Sequence, residues 1–135
     1  MPLVAGTTLT AEGVAGAMAR AQAIGKYGED VAARFLVERG MTVLDRNWRC
    51  DVGEIDIVAR DGDTLVICEV KTRSGLSHGS GLEAVTRAKA DRQRRLARRW
   101  LAASGLRVPR VRVDVVAVLR PERGAATVDH LRGVV

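Results

Sequence analysis

The sequence predicts an α/β protein in which a mixed β-sheet is flanked by α-helices, in the order α-β-β-β-α-β-β. Residues 18–39 and 81–104 repeat apolar side chains at helical spacing. Shorter stretches between and after them alternate apolar and polar residues, as half-buried strands do. The segment Asp61-Gly62-Asp63-Thr64 has the composition of a hairpin turn between two strands. A chain of 135 residues with this pattern can bury its own core as one domain.

The first predicted helix runs from Met18 to Arg39, and the glycine that follows is typical of a helix end. Two glycines inside it, Gly25 and Gly28, indicate that another backbone or a ligand comes close to this helix. Its apolar stripe consists of Ile24, Gly28, Val31, Ala32 and Phe35.

Residues 1–17 are rich in Ala, Gly and Thr, and we expect them to form a flexible extension. The domain itself is expected to cover residues 18–135, and Met18 is a second candidate for the first residue of the protein.

Five strands complete the predicted domain. The first covers residues 42–48, and residues 53–73 contain the second and third on either side of the hairpin turn. Residues 110–119 alternate cleanly and carry apolar side chains on both faces, so this fourth strand is expected to be covered on both sides. Residues 126–131 are predicted to form a short edge strand.

The hairpin brings ionisable side chains together. If its loop is centred between Gly62 and Asp63, then Asp56 lies directly opposite Glu69, and the two like charges repel each other. If the register instead shifts by two, the carboxylates become diagonal neighbours about 7 Å apart. Lys71 follows Glu69 on the same face of the third strand. A divalent cation would turn this repulsion into a binding site.

Oxygen ligands of this kind suit Mg²⁺ or Mn²⁺. The predicted ligands are the carboxylates of Asp56 and Glu69 and the backbone carbonyl of Val70. Hydrolysis of a phosphodiester needs a metal-activated water and a positive group near the phosphoryl oxygens, and Lys71 supplies that positive group. The pattern therefore indicates metal-dependent cleavage of nucleic acid.

Both helices offer further candidates for catalytic residues. Glu29 lies on the flank of the first helix's apolar stripe, where it could reach the site or could be a surface glutamate. Lys89 and Gln93 interrupt the inward stripe of the second helix, where long side chains that merely cover apolar surface are the alternative explanation. That stripe is predicted to contain Leu82, Val85, Lys89, Arg92 or Gln93, Leu96, Trp100 and Ala103.

The charge of the chain favours a polyanionic partner, since its formal net charge is +6 and its isoelectric point is near 10.3. Nucleic acid is the first choice. A basic face that is simply solvated remains the alternative for the second helix. The candidate nucleic-acid-binding residues are Arg73, His78, Arg87, Arg94, Arg95, Arg98 and Arg99.

Several classes of protein are disfavoured. Cys50 and Cys68 are far apart and form no C-x-x-C motif, which argues against a zinc site or a disulfide framework. No apolar stretch is long enough to span a membrane, so a cytoplasmic location is expected. The sequence also lacks a glycine-rich phosphate loop and a serine or cysteine nucleophile with a nearby base.

The segments GKYGEDVAARFL, GEIDIV, EVKTR and VRVDVVAV together resemble the YraN-like family of small bacterial proteins, over nearly everything after Ile24. That family is similar to the PD-(D/E)-x-K nuclease superfamily and, within it, to archaeal Holliday-junction resolvases. The resemblance implies a restriction-endonuclease-like fold. Ile55 stands where the motif has its proline, a residue that binds no metal.

The resemblance also implies roles for individual residues. Asp56 matches the aspartate of the motif, and Glu69 and Lys71 match its E-x-K. Glu29 matches the acidic residue of the first helix. Lys89 and Gln93 on the second helix match the place from which many superfamily members supply an additional active-site side chain.

These inferences predict a Mg²⁺-dependent endonuclease that cuts branched or otherwise non-standard DNA. One alternative is a non-catalytic nucleic-acid-binding or scaffolding protein with the same fold. Another is a structural protein in which Asp56, Glu69 and Lys71 form only an ion-pair network. The sequence leaves open DNA or RNA as substrate and a monomer or a homodimer as the active form.

Overall fold

The elements follow the predicted order in the computed structural model, which describes residues 10–74 and 86–134. They are α1 (Ala11–Glu38), β1 (Thr42–Cys50), β2 (Gly53–Asp61), β3 (Thr64–Ser74), α2 (Arg87–Ser104), β4 (Arg110–Arg120) and β5 (Thr127–Leu131). His78 and residues 81–85 of the predicted second helix lie outside the described residues.

The first helix begins earlier than predicted, at Ala11 rather than Met18. Its N-cap is Thr10, whose hydroxyl oxygen accepts a hydrogen bond of 2.9 Å from the backbone N–H of Gly13. Part of the expected extension is therefore helical. An alanine-rich stretch can be interpreted as a flexible extension, but alanine is also the best helix former. Here the stretch from Ala11 is helical, with Thr10 as its N-cap.

The sheet is mixed, as predicted, with the strand order β1-β2-β3-β4-β5. Strands β1 to β3 form an antiparallel meander. Strand β4 is parallel to β3, because α2 carries the chain back across the sheet, and β5 is an antiparallel edge strand. With helices packed on the sheet, this is the predicted restriction-endonuclease-like fold class.

Each face of the sheet has its own core. The α1 side contains Ala32, Leu36, Met41, Ile57, Ala59, Val66, Cys68, Val116 and Val118. The α2 side contains Ile55, Val58, Leu65, Ile67, Leu96, Ala97 and Trp100. Strand β4 is buried on both sides, as its apolar pattern predicts. Among the described residues, no helix is long and apolar enough to cross a membrane.

The buried stripe of α2 differs from the predicted one. It consists of Ala90, Gln93, Leu96, Ala97 and Trp100. Lys89 is exposed, so the expectation that it points inward was wrong, whereas Gln93 is only 8% exposed. The stripe is centred closer to the alanines than predicted, which leaves Lys89 at its edge, where a long side chain can reach water.

Helix α1 approaches β3 most closely at Gly28. A methyl group built on this glycine would lie 1.8 Å from Oγ1 of Thr72. The predicted close approach is thus confirmed for Gly28. In the described part of the chain, no other segment comes as close at Gly25, where nothing lies within 4 Å of an added methyl group. Gly25 instead borders the cavities described below.

Candidate metal-binding site

The site forms where β2 and β3 separate. Of the two registers considered, the one centred between Gly62 and Asp63 is found, from the turn pair Asp61–Thr64 as far as Ile57–Cys68, with Gly62 in the left-handed conformation at φ 62°. The pairing stops there. One position further along, the Asp56 carboxylate Oδ2 accepts a hydrogen bond of 2.8 Å from the backbone N–H of Val70. Where the backbone pairing of β2 and β3 ends, the Asp56 side chain thereby provides the acceptor for the Val70 N–H of β3.

Strand β2 changes face at this point. Ile57 packs on the α1 side of the sheet, whereas Ile55 packs on the α2 side with Val58. Strict alternation along the predicted strand would put Ile55 and Ile57 on the same face, and this expectation is wrong because alternation holds only while the strand remains regular. Asp56 lies between them, at the inversion. Its side chain consequently borders open space toward both helices.

Three cavities meet at Asp56. A cavity of about 220 Å³ lies toward α2 and is lined by Glu69 and Gln93 as well. One of about 460 Å³ lies toward α1 and is shared with Glu29 and Val70. The third, of about 600 Å³, extends to β1, and its lining includes Glu29, Arg46, Asn47, Arg49, Glu54 and Asp56. Asp56 is thus the common wall of a branched cleft.

Burial raises the pKa of Asp56 to about 6. The hydrogen bond from Val70 acts in the opposite direction, whereas the charges of Glu29, Glu54 and Glu69 add to the rise. The Asp56 carboxyl group is therefore poised between its protonated and ionised forms close to neutral pH.

The pKa of Glu29 is also raised, chiefly by burial, against a hydrogen bond from the Asn47 side chain and the charge of Arg46. One of its carboxylate oxygens, Oε1, is buried and has no hydrogen-bond partner. A buried acceptor without a partner is costly, and a proton or a cation would satisfy it.

The structure brings most of the predicted site residues together. Glu69 is half-buried and lines the 220 Å³ cavity together with Gln93 and Arg92. Lys71 is half-buried two residues further along β3. Lys89 is exposed in the first turn of α2. In the part of the chain that the structure describes, it lines none of these three cavities.

Two observations limit the chemistry of this cluster. Within residues 10–74 and 86–134, no three Asp, Glu, His or Cys side chains are arranged as a group that could hold a metal ion. Lys71 forms no ion pair with Asp56 or Glu69 in the same part of the chain. A metal would therefore rest on one or two carboxylates and water. The ion-pair network considered above is not formed among these residues.

The predicted nucleic-acid-binding residues occupy two places. Arg73 borders the 460 Å³ cavity at the end of β3. The predicted arginines of the second helix lie on α2, where Arg87, Arg95 and Arg98 are exposed and Arg94 is half-buried, while His78 lies outside the described residues. Arg99 is exposed too, but its guanidinium group is paired with Asp51.

The sequence interpretation missed the contribution of β1. Arg46 binds Asp30 of α1 at 2.7 Å, and Asn47 reaches Glu29. The β1–β2 register puts Asn47 opposite Asp56, between the pairs Arg46–Ile57 and Trp48–Ile55. A register shift at Leu44 sets this alignment, and the sequence gives no sign of it.

Fold and site together define a class: a restriction-endonuclease-like α/β protein with an acidic cleft where two sheet strands separate. The chain belongs to the uncharacterised protein family UPF0102, whose family model matches residues 28–118. The predicted YraN-like membership is thereby confirmed, and the matched segment runs from before Glu29 to beyond Gln93.

Relatives named UPF0102 protein are similar along most of the chain. The protein from Kineococcus radiotolerans is 66% identical over 113 residues, which cover 83% of this chain and 93% of the relative. The protein from Streptomyces coelicolor is 60% identical over 114 residues, covering 83% of this chain and 88% of the relative. For Nocardioides sp. the identity is 58% over 113 residues, covering 84% and 91%.

Proposed function

We propose that the protein is a metal-dependent nuclease that hydrolyses phosphodiester bonds in branched or otherwise non-standard DNA. The observation that carries this proposal is Asp56, a carboxylate of raised pKa, fixed by Val70 where β2 and β3 separate and sharing a cavity with Glu69. Perturbed carboxylates in a cleft are typical of catalytic sites. A cytoplasmic location belongs to the same proposal.

The donor set fits Mg²⁺ or Mn²⁺. These ions take oxygen ligands, and Mg²⁺ commonly uses one or two carboxylates and keeps several waters, so no larger protein cage is needed. Asp56 and Glu69 would hold the ion, with the Val70 carbonyl as the third candidate. Bound there, the metal would supply an activated water and a Lewis acid for the phosphodiester.

The remaining side chains have separate tasks. Lys71 is free of ion pairs to the two acids within the described residues, so its ammonium group is available to a phosphoryl oxygen or the attacking water. The Gln93 amide can orient a water in the cavity that it shares with Glu69. Glu29 adds a third carboxyl group on the α1 side. Lys89 remains a candidate only if its side chain turns inward.

The first test measures the metal directly. Calorimetric titration with Mn²⁺ should show binding to the wild type and its loss in the Asp56→Asn/Glu69→Gln variant. The matched control is Asp63→Asn/Glu38→Gln, which makes the same change of charge at exposed positions in the hairpin turn and at the end of α1. Equal Mn²⁺ affinity in the wild type and the site variant would refute the metal site.

The second test separates an enzyme from a binding protein. Branched and linear DNA and RNA are incubated with Mg²⁺ or Mn²⁺, and cleavage by Lys71→Met should fall at least about a hundredfold at nearly unchanged affinity, because this charge acts mainly in the transition state. Arg107→Met is the control, since Arg107 is exposed near the hairpin end of the sheet. A wild type that binds these substrates but cuts none would favour the non-catalytic alternative.

The basic face of α2 supports nucleic acid as the partner in either case. Each phosphate contact should contribute about −0.9 to the slope of log affinity against log salt on duplex DNA. We expect Arg98→Gln to flatten this slope by up to that amount, and Arg99→Gln to flatten it less, because Asp51 already pairs with Arg99. A wild-type affinity that does not depend on salt would contradict a backbone-binding surface.

A further inference from the structure

The backbone of β1 is unusual opposite the site. Asn47 has φ 53° and is the one non-glycine residue with a positive φ among residues 10–74 and 86–134. Asparagine tolerates this left-handed conformation better than most residues, but glycine adopts it more readily. Strained positions of this kind cluster at functional sites. The conformation therefore calls for an explanation in terms of what the Asn47 side chain does.

Part of the explanation is geometric. Asn47 lies opposite Asp56, and both strands change face here. Trp48 packs on the α2 side of the sheet, while Arg46 reaches Asp30 on α1. The left-handed residue lets β1 follow the inversion of β2. Glycine would serve that purpose equally well, so the backbone alone does not account for an asparagine.

The side chain accounts for the rest. Asn47 lines the 600 Å³ cavity together with Glu29 and Asp56, and its amide is close enough to the Glu29 carboxyl group to lower the pKa of that group. Oε1 of Glu29 remains buried without a partner. An amide that donates to a carboxyl group fixes its orientation, in the way that residues behind metal ligands commonly do.

We infer that Asn47 is a positioning residue, which holds the Glu29 carboxyl group beside Asp56 so that α1 contributes to the cation site. This inference rests on the proposed function and goes beyond it, because it assigns β1 a part in metal binding. Asn47 itself touches neither metal nor substrate. It acts through Glu29.

The variant that separates this role from a purely structural one is Asn47→Gly. Glycine keeps the left-handed backbone and removes only the amide. We expect the affinity for Mn²⁺ to fall about tenfold, the lower end of what loss of such a supporting hydrogen bond costs. The melting temperature of the metal-free protein should stay the same or rise, since the backbone conformation becomes easier to adopt.

Two controls accompany it. Gly62→Ala puts a side chain into the same left-handed conformation at φ 62°, in the hairpin turn away from the site, and should lower the melting temperature without changing Mn²⁺ affinity. The second is a double-mutant cycle with Glu29→Gln. If Asn47 acts through Glu29, then Asn47→Gly should weaken Mn²⁺ binding in the wild type but have little further effect in Glu29→Gln.

The outcomes divide cleanly. Reduced Mn²⁺ affinity with unchanged or higher melting temperature, and no additivity with Glu29→Gln, supports the inference. A lower melting temperature with unchanged Mn²⁺ affinity shows a structural role and overturns it, as do independent, additive effects. If the wild type binds Mn²⁺ through Asp56 but Asn47→Gly binds equally well, only the role of Asn47 fails. If the wild type binds no Mn²⁺, the proposed site fails with it.

Discussion

Two aspartates on this sheet, half-buried Asp56 and fully buried Asp114, have different surroundings. Asp114 on β4 is completely buried, and both of its carboxylate oxygens are fully bonded. Its partners are the Arg112 side chain at 2.9 and 3.1 Å, the Gly133 backbone N–H at 2.9 Å and His130 Nε2 at 2.8 Å. Asp56 has a single backbone donor and open cavities around it.

Their pKa values diverge accordingly. Burial raises the pKa of Asp114, but the bonds from Arg112, Gly133 and His130 outweigh it and leave the pKa below its usual range. For Asp56, burial outweighs its one hydrogen bond. A buried carboxylate whose oxygens all accept charge-assisted or backbone hydrogen bonds, like that of Asp114, stabilises the fold. One that the fold leaves unsatisfied is stabilised only when something binds to it.

The largest effect expected from this contrast is on stability. Asp114→Asn removes the buried carboxylate that Arg112 and His130 share, while Arg112 keeps its ion pair with Asp61 at 3.1 Å. We therefore expect it to lower the free energy of unfolding by about 3 kcal/mol, the lower end of the cost of breaking a buried ion pair. Asp56→Asn should not destabilise the metal-free protein at pH 7, because it removes a poorly solvated charge. Urea unfolding of both variants measures this. Equal losses would show that the two sites do not differ.

The second prediction concerns pH. The pKa of Asp56 rises from 3.8 in the unfolded chain to about 6 in the folded protein, so the folded state binds the proton more tightly. Its contribution to stability is complete below about pH 4 and is lost as the pH rises to about 6. About two pKa units correspond to about 3 kcal/mol at most.

The measurement compares the wild type with Asp56→Asn, because titrations that they share then cancel. The variant should gain stability relative to the wild type between pH 4 and 6 and keep this advantage at pH 7. Asp114 has the opposite sign, since its lowered pKa gives stability that is lost as the pH falls. A difference between wild type and variant that is independent of pH would argue against the raised pKa of Asp56.

The contrast also shows what the sequence can reveal. The hairpin register follows from a local signal, the turn at Gly62, and the structure confirms it as far as Ile57. The end of the ladder and the change of face at Asp56 depend on β1 and both helices, which no local pattern records. The sequence therefore predicts Asp56, Glu69 and Gln93 as candidate site residues, but it does not predict how they are arranged in space.

The errors on the helices have a similar cause. Adjacent positions on a helix differ by about 100°, so an apolar stripe assigned from few residues can be centred one residue away from the real one. This happened at Lys89, which is exposed, whereas Ala90 is buried. Arg46 and Asn47 were missed because their partners, Asp30 and Glu29, lie on α1, far away in sequence.

Helix α1 lies beside Asp56 and contacts His130, a partner of Asp114, which leads to the smallest of the expected effects. Glu29 lies beside Asp56, and Phe35, about two turns later, contacts the ring of His130 edge to face at 5.7 Å. Gly28, the residue before Glu29, is the point where α1 comes closest to Thr72 of β3. A side chain at Gly28 would push α1 away from β3 beside Glu29.

We expect Gly28→Ala to lower the free energy of unfolding by about 1–3 kcal/mol, the usual cost of overpacking. Rotation of Thr72 cannot relieve the contact, because the added methyl group would also lie 2.8 Å from the Thr72 Cβ, so the backbones must move apart. Gly25→Ala is the matched control. Nothing lies within 4 Å of the added group, and the better helix propensity of alanine should raise stability by up to about 1 kcal/mol.

Thermal unfolding of the two variants, followed by Mn²⁺ titration, decides whether the position of α1 matters to both aspartates. Displacement of α1 by Gly28→Ala moves Glu29 away from Asp56, so Mn²⁺ affinity should fall together with stability. Gly25→Ala should change Mn²⁺ affinity little, because the helix stays in place. If Gly28→Ala proves as stable as the wild type, the close approach of α1 to β3 is not a constraint. If it is destabilised but binds Mn²⁺ normally, α1 supports only the Asp114 side of the sheet.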